Sequence, residues 1–199
     1  MKKGRLIVFE GIDGAGKSTQ ARMLRRKLGA RGRKVVSFRE PSRSRWGREL
    51  RAKAKSEGSL TPLEELELFV KDRRENVARN IRPALLAGTI VILDRYYFST
   101  IAYQGAKGLD PERIRKINER FAPKPDLVFF LDLGASAGLS RISGRKTRDL
   151  LFERETYLRR VRRMFRDFQG PRFVHLDGRR DKRELGREIL ARTLAVLEG

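Results

Sequence analysis

Residues 11–18, Gly-Ile-Asp-Gly-Ala-Gly-Lys-Ser, fit the pattern G-x-x-x-x-G-K-[ST] of a phosphate-binding loop. A short apolar run precedes the loop, and apolar residues at helical spacing follow it. In such a unit of strand, loop and helix, backbone N–H groups and the amino end of the helix converge on phosphate oxygens. A glycine-rich turn that binds no ligand would need neither Lys17 nor Ser18. The pattern therefore predicts an α/β domain that binds a chain of phosphates.

Short apolar runs alternate with longer stretches of helical periodicity along the whole chain. The runs predicted as strands are 5–9, 34–38, 89–93, 126–133 and 172–176, and the predicted helices are 17–30, 61–87, 96–103, 150–169 and 181–197. The strands are rich in Val, Ile, Leu and Phe with little alternation, which is typical of a sheet covered on both faces. We therefore predict a single α/β domain over residues 1–199, with a five-stranded parallel sheet doubly wound by helices. Pro83 should kink the long helix or begin a new one.

The composition limits the classes of partner and metal site. The chain has 47 Lys and Arg against 25 Asp and Glu, a net charge of +22 that indicates a polyanionic partner, either nucleic acid or phosphorylated small molecules. It has no cysteine and one histidine, so any metal must be held by oxygen. The apolar runs are far shorter than the roughly 18–20 residues of a membrane span, and no signal peptide is recognisable. We expect a cytoplasmic protein without a membrane partner.

A second polar group, Asp94-Arg95-Tyr96, follows the third predicted strand. A carboxylate at the carboxyl end of a strand beside the phosphate loop can hold Mg²⁺, and the adjacent arginine brings another cation to the same crevice. Asp132 ends a similar apolar run and is the alternative acid, but it has no neighbouring arginine in the sequence. We therefore predict that Ser18 and Asp94 hold Mg²⁺.

Arg73 interrupts the apolar stripe of the helix predicted at 61–87. A buried guanidinium is costly unless it is paired, so either an internal acid such as Glu67 meets it or the stripe borders a cleft where an anion does. Phe69, one turn earlier, would offer a flat apolar surface to a base. The next helix carries polar side chains that can contact a base edge, and these are Ser99, Thr100, Tyr103 and Gln104.

Together these motifs resemble those of the thymidylate kinase family. The likeness covers nearly the whole chain and rests on the phosphate loop with Thr19, on Phe38-Arg39-Glu40-Pro41, on Phe69 with Arg73, on Asp94-Arg95-Tyr96 with Ser99 and Ala102-Tyr103-Gln104, and on Pro125-Asp126-Leu127 leading to Leu131-Asp132. The resemblance implies a P-loop nucleoside monophosphate kinase fold that uses ATP and Mg²⁺ to phosphorylate dTMP to dTDP. It also implies a homodimer that requires no nucleic acid.

The same resemblance implies a role for individual residues. ATP would be bound by Gly11, Ile12, Asp13, Gly14, Ala15, Gly16, Lys17, Ser18, Thr19 and Arg141, and dTMP by Asp13, Glu40, Phe69, Arg73, Arg95, Ser99, Thr100, Tyr103, Gln104 and Tyr157. Asp13 would meet the deoxyribose 3′-hydroxyl, Phe69 would stack on thymine, and Arg95 would grip the acceptor phosphate. Arg73, with Thr100 and Gln104, would hold the base edge. Tyr157 would press on the deoxyribose, although its helical spacing describes core packing equally well.

The sequence departs from the family pattern at two places near the predicted site. Residues 42–46 replace the Gly-Gly-Thr that many relatives carry, and Gly14 stands where one variant of the family has an arginine. The cation over the transferring phosphoryl group must then come from elsewhere, and the basic segment 143–149 between two helices is the natural source. We predict that this segment is a short lid and that the catalytic residues are Lys17, Arg95, Arg145 and Arg148.

Two other functions remain open from the sequence. The chain could phosphorylate another pyrimidine monophosphate, such as dUMP or dCMP, because one methyl group supplies only roughly 1–3 kcal/mol of discrimination. It could also be a P-loop protein that binds nucleic acid through its positive charge. No basic patch with interleaved aromatic residues is evident, which disfavours the second alternative.

Overall fold

Five parallel strands form the centre of the molecule. They are β1 (Leu6–Glu10), β2 (Val35–Arg39), β3 (Ile90–Asp94), β4 (Leu127–Asp132) and β5 (Phe173–Asp177). The computed structural model describes residues 4–53, 60–142 and 148–198. Within these residues the strands form one sheet in the order β2-β3-β1-β4-β5. The prediction of a five-stranded parallel sheet wound by helices is confirmed, and every strand bound lies within about one residue of its predicted place.

Helices join the strands and cover the sheet. They are α1 (Lys17–Gly29), α2 (Arg45–Lys53), α3 (Pro62–Asn76), α4 (Arg82–Leu86), α5 (Tyr97–Gly105), α6 (Pro111–Glu119), α7 (Ala135–Ile142), α8 (Arg148–Arg166) and α9 (Lys182–Glu198). Helix α1 contacts β1, β2 and β3 and packs against α9, whereas α4 contacts β3 and α8 contacts β4. β1 and β3 are buried along their whole length, as expected for strands with helices on both faces.

Three of these helices, α2, α6 and α7, are absent from the sequence prediction. Each is short, at 8 or 9 residues, so its apolar periodicity extends over too few turns to be distinctive. The start of α6 does carry a local signal, because the Asp110 side chain accepts a hydrogen bond from the Glu112 N–H and Pro111 opens the helix. That capping pattern, unlike periodicity, could have located the helix.

The long helix predicted at 61–87 is divided before Pro83. Helix α3 continues into a π-helical turn, Val77–Ile81, and α4 begins at Arg82. Proline has no N–H to donate and its ring would crowd the carbonyl one turn earlier, so a wider turn relieves both problems. This is the new helix start that Pro83 predicts.

Because all five strands run in the same direction, their carboxyl ends meet at one edge of the sheet. The phosphate loop follows β1 at this edge, Asp94 ends β3 and Asp132 ends β4. No helix in the described part of the chain is both long and apolar enough to cross a membrane.

Candidate active site

The loop between β1 and α1 has a backbone that favours glycine. Gly11, Gly14 and Gly16 have φ angles of 139°, 79° and 95°, which residues with a Cβ rarely adopt. Helix α1 begins at Lys17, and in this fully described helix no side chain caps the amino end and no acid lies in the first turn. The N–H groups of that turn are therefore open to an anion.

Lys17 is buried beside the loop, and its Nζ donates a hydrogen bond to the carbonyl of Ile12 at 2.8 Å. Desolvation, reinforced by the positive charge of Arg95, lowers the pKa of the Lys17 ammonium to about 7. A phosphate chain in the loop would raise this pKa again, because opposite charge favours the ionised form. The side chain is thus placed to gain charge as phosphate binds.

Asp94 and Ser18 meet beside the phosphate loop. The Ser18 hydroxyl donates to Oδ2 of Asp94, and Oδ1 of Asp94 is buried without a hydrogen-bond partner among the described residues. Arg39 lies close by, with its Nε 3.8 Å from Oδ2. A hydroxyl beside a carboxylate with an unused buried oxygen fits Mg²⁺, which prefers oxygen ligands and takes its remaining ligands from water and phosphate.

Asp132, the alternative acid, is paired within the protein. Arg162 donates to its Oδ1 at 2.5 Å and Arg166 donates to its Oδ2 at 2.7 Å. Burial alone would raise the pKa of Asp132, but these two arginines lower it overall. The carboxylate therefore ties α8 to the end of β4.

Arg95 is held in an unusual conformation next to the loop. Its φ of 74° lies in the left-handed region, which non-glycine residues seldom adopt without compensating contacts. Its Nη1 donates to Ser99 Oγ at 2.9 Å, and its Nη2 donates to Asp13 Oδ1 at 2.7 Å. The guanidinium also lies over the ring of Tyr103, 5.1 Å from its centroid. These contacts aim the cation at the loop.

Glu10 supports this arrangement and is missing from the sequence prediction. It is 1% exposed; its Oε1 accepts hydrogen bonds from the N–H groups of Tyr96 and Ser99, and its Oε2 accepts from the Ser99 hydroxyl. Desolvation raises the pKa of Glu10 to about 7. The sequence did contain a signal for Glu10, because an acidic residue ends an otherwise apolar strand directly before the loop.

A cavity of about 330 Å³ opens next to Arg95. Its lining includes all ten residues that the family resemblance assigns to dTMP, namely Asp13, Glu40, Phe69, Arg73, Arg95, Ser99, Thr100, Tyr103, Gln104 and Tyr157, together with Arg39, Pro41, Glu65, Tyr96 and Lys107. The structure thus brings the predicted acceptor set together around one space. Its size is at the lower end for a small-molecule site.

Arg73 is 1% exposed, and its guanidinium donates hydrogen bonds to three other side chains. Its Nε donates to Glu40 Oε2 at 2.7 Å, its Nη1 to Asn118 Oδ1 at 2.6 Å and its Nη2 to Thr100 Oγ1 at 3.0 Å. The expectation that Glu67 could be the internal acid is wrong, because Glu67 lies on the exposed side of α3 and pairs with Lys71. The internal acid is instead Glu40, and Arg73 also lines the cavity.

The lining of the cavity also combines an aromatic surface with an amide. Phe69 is half-buried on α3. Gln104 donates from Nε2 to Glu65 Oε2 at 2.8 Å, and its Oε1 is buried without a partner among the described residues. Tyr157 donates from its hydroxyl to the carbonyl of Tyr103 at 2.9 Å, so α8 closes one side of the cavity.

The segment that departs from the family pattern is anchored to α3. Asp72 accepts hydrogen bonds from the Ser42 N–H at 2.7 Å and from the hydroxyls of Ser42 and Ser44 at 2.5 and 2.6 Å. Gly47 is packed so closely that a Cβ would lie 2.9 Å from Asp72 Oδ1. The altered loop is thus ordered by side chains of its own.

The structure describes only part of the predicted ATP site and lid. Arg141 donates from Nη1 to the carbonyl of Gly14 at 3.2 Å, so it contacts the phosphate loop. Arg148 is the first residue of α8 instead of part of a loop. The rest of the predicted lid, 143–147 with Arg145, lies outside the described residues.

Comparison with known proteins agrees with this arrangement. The family model described as thymidylate kinase matches residues 9–189. A thymidylate kinase of Akkermansia muciniphila is 50% identical over 94% of this chain and 90% of its own length. A probable thymidylate kinase of Archaeoglobus fulgidus is 44% identical over 92% of both chains, and a thymidylate kinase of Desulfotalea psychrophila is 41% identical over 98% and 96%. With these matches over nearly its whole length, the chain belongs to the thymidylate kinase family.

Proposed function

We propose that the protein transfers the terminal phosphoryl group of ATP to the 5′-phosphate of dTMP, yielding ADP and dTDP. The observation that carries this proposal is one cavity that is lined both by Arg95, next to the phosphate loop, and by Phe69 and Gln104. It offers a cation to a phosphate, and an aromatic face with polar groups to a base. A pyrimidine nucleoside monophosphate carries the complementary groups, which are a phosphate and a base joined by a sugar.

On the donor side, residues Gly11 to Thr19 would surround the phosphates of ATP, with Lys17 on the outer ones and Arg141 beside them. Ser18 and Asp94 would hold Mg²⁺, which neutralises charge on phosphate oxygens when it is bound. The unpartnered Oδ1 of Asp94 supports this assignment.

On the acceptor side, Arg95 would bind the phosphate and Phe69 would stack on the base. Asp13, Tyr103 and Tyr157 also line the cavity, and the deoxyribose would lie against them. Ser99 and Glu40 act through other residues, because Ser99 bonds to Arg95 and Glu40 bonds to Arg73.

The chemistry requires positioning and neutralisation of charge. A phosphate monoester is ionised at neutral pH, so its oxygen can attack without a general base. Negative charge then spreads over the oxygens between donor and acceptor. Arg95 would neutralise part of the charge of the acceptor phosphate, and Lys17 would neutralise part of the charge of the donor phosphates.

We also propose that Arg145 and Arg148 supply the remaining positive charge to the transferring group. An arginine in this role contributes roughly 10³–10⁵ to kcat in P-loop enzymes. Replacing both with Ala should lower kcat at least about 100-fold with little change in the Kd for dTMP. A change confined to the KM for ATP would assign the segment to donor binding instead.

The function itself is tested by a panel of monophosphates with ATP and Mg²⁺, in which ADP release is measured for each. We expect dTMP to be phosphorylated and Lys17→Ala to abolish transfer while the far-ultraviolet circular dichroism is unchanged. Failure to phosphorylate dTMP would contradict the proposal. From family membership we further propose a cytoplasmic homodimer that needs no nucleic acid, and sedimentation equilibrium tests the dimer.

A further inference from the structure

The orientation of the Gln104 amide is set by a neighbouring acid. Gln104 is 1% exposed, and its Nε2 donates to Oε2 of Glu65 at 2.8 Å. A carboxylate has only acceptors, so the nitrogen of the amide must face it and the oxygen must face away. That oxygen, Oε1, is buried and has no hydrogen-bond partner among the described residues.

Glu65 is itself held in place. The Lys107 ammonium bonds to the same Oε2 atom, and both side chains line the cavity together with Gln104. Because Lys107 offers only donors, it cannot replace Glu65 as the partner of the Gln104 amide nitrogen. Lys107 and Gln104 therefore both donate to Glu65. This arrangement leaves Gln104 Oε1 as an acceptor without a donor among the described residues.

Donors lie one helical turn away from this acceptor. Thr100 and Gln104 are four residues apart on α5, so their side chains share a face of the helix. Thr100 accepts a hydrogen bond from Arg73 Nη2, and the guanidinium of Arg73 carries donors only. The base end of the cavity thus combines a donor group with the acceptor Oε1.

We propose that Glu65 is a specificity-determining positioning residue, which selects 4-oxo over 4-amino pyrimidine monophosphates by fixing the acceptor face of Gln104. This inference rests on the proposed function. A 4-oxo pyrimidine has an acceptor at O4 beside a donor at N3–H, and it matches Arg73 and Gln104. Cytosine has the reverse arrangement, with an amino donor at C4 and an acceptor at N3. Its amino group would face the donors of Arg73, and its N3 would face the acceptor Oε1 of Gln104.

The test compares kcat/KM for dTMP, dUMP and dCMP in the natural protein and in Glu65→Gln. A glutamine at position 65 can donate as well as accept, so the Gln104 amide is free to turn. We expect the natural protein to prefer dTMP over dCMP by at least about 1000-fold, because a site built around hydrogen bonds rejects a mismatched analogue strongly. In Glu65→Gln that preference should fall at least about tenfold, whereas the ratio of dTMP to dUMP should stay within about twofold, because both bases present the same edge.

Glu67→Gln is the matched control. It lies on the same helix, changes charge by the same amount, and affects a side chain that is 61% exposed and pairs with Lys71. We expect Glu67→Gln to leave kcat/KM unchanged for dTMP, dUMP and dCMP. If Glu65→Gln does not fold, Glu65→Ala frees the amide in the same way and should show the same loss of selectivity.

An equal loss for dTMP, dUMP and dCMP in the Glu65 variants would show a merely structural role and overturn the inference, as would an unchanged preference. Failure of the natural protein to phosphorylate dTMP would contradict the proposed function instead. The two failures are therefore distinguishable in one set of measurements.

Discussion

Two buried ionisable groups, Glu10 and Lys17, stand at opposite ends of the phosphate loop, and their pKa values shift toward each other. Burial raises the pKa of Glu10 from 4.5 to about 7 and lowers that of Lys17 from 10.5 to about 7. Each shift favours the neutral form, because a charge loses its hydration when it is buried. These two residues therefore carry less charge near neutral pH than their residue types indicate.

Glu10 should make the protein less stable as pH rises. Between pH 4.5 and 7 the unfolded chain releases the Glu10 proton while the folded chain keeps it, so the free energy of unfolding falls with pH in this window. Glu10→Gln removes that fall. In urea unfolding at pH 5 and pH 7, we expect the loss of stability in the natural protein to exceed that in the variant by on the order of 2 kcal/mol. Equal losses would show that Glu10 is not protonated in the fold.

Arg73 should contribute to both stability and acceptor binding. Arg73→Ala leaves the buried carboxylate of Glu40 unpaired, which should cost about 3–5 kcal/mol in urea unfolding. The double variant Arg73→Met with Glu40→Gln removes both charges and should recover at least half of that stability. Its KM for dTMP should stay raised at least about tenfold, because the donors of the guanidinium are missing. Recovery of the KM together with stability would assign Arg73 a structural role alone.

Among the elements, the short helix α7 packs its backbone directly against the phosphate loop. A Cβ on Gly14 would lie 2.4 Å from the carbonyl oxygen of Gly138, and a Cβ on Gly138 would lie 2.8 Å from that of Asp13. The two glycines therefore let a helix backbone touch the loop backbone. The same contact explains why position 14 has no room for the arginine found in one variant of the family.

Gly138→Ala should disturb this contact. In a helix interior alanine is normally more stable than glycine by about 1 kcal/mol, but here the added methyl group would push α7 away from the loop. We expect a lower melting temperature and a KM for ATP raised at least about threefold. Gly134→Ala, where a Cβ meets nothing within 4 Å, is the control and should change neither quantity. A more stable Gly138→Ala protein with normal ATP binding would show that α7 can shift to accommodate the methyl group without a cost in stability.

At the scale of the whole molecule, positive charge far exceeds what the acids can neutralise. The 47 basic residues face 25 acids, so like-charge repulsion opposes the compact state. Some of the basic residues line a cleft of about 1150 Å³ beside β2, and these are Arg22, Arg25, Arg39, Arg43, Arg51 and Arg79. The fold must therefore tolerate repulsion that dissolved salt can screen.

Added salt should accordingly stabilise the protein. Raising the ionic strength from about 0.01 M to 0.1 M shortens the screening length from about 30 to 10 Å. We expect the melting temperature to rise by about 2–4 °C for each kcal/mol of repulsion removed. Sucrose at equal osmolality controls for effects of the solvent. A melting temperature that falls with salt would mean that the surface ion pairs outweigh the repulsion.

The sequence alone determined the features that depend on neighbours in the chain. The phosphate loop, the five strands and the residues around Asp94 follow from short patterns, and the family resemblance named most of the residues that line the cavity. Tertiary structure alone decided which groups pair across long stretches of chain. Arg73 meets Glu40, Asn118 and Thr100, which lie 33, 45 and 27 residues away, and Glu10 bonds to a helix end 86 residues away. Such pairings depend on which surfaces the sheet brings together, and that is set by packing of the whole chain instead of by any local pattern.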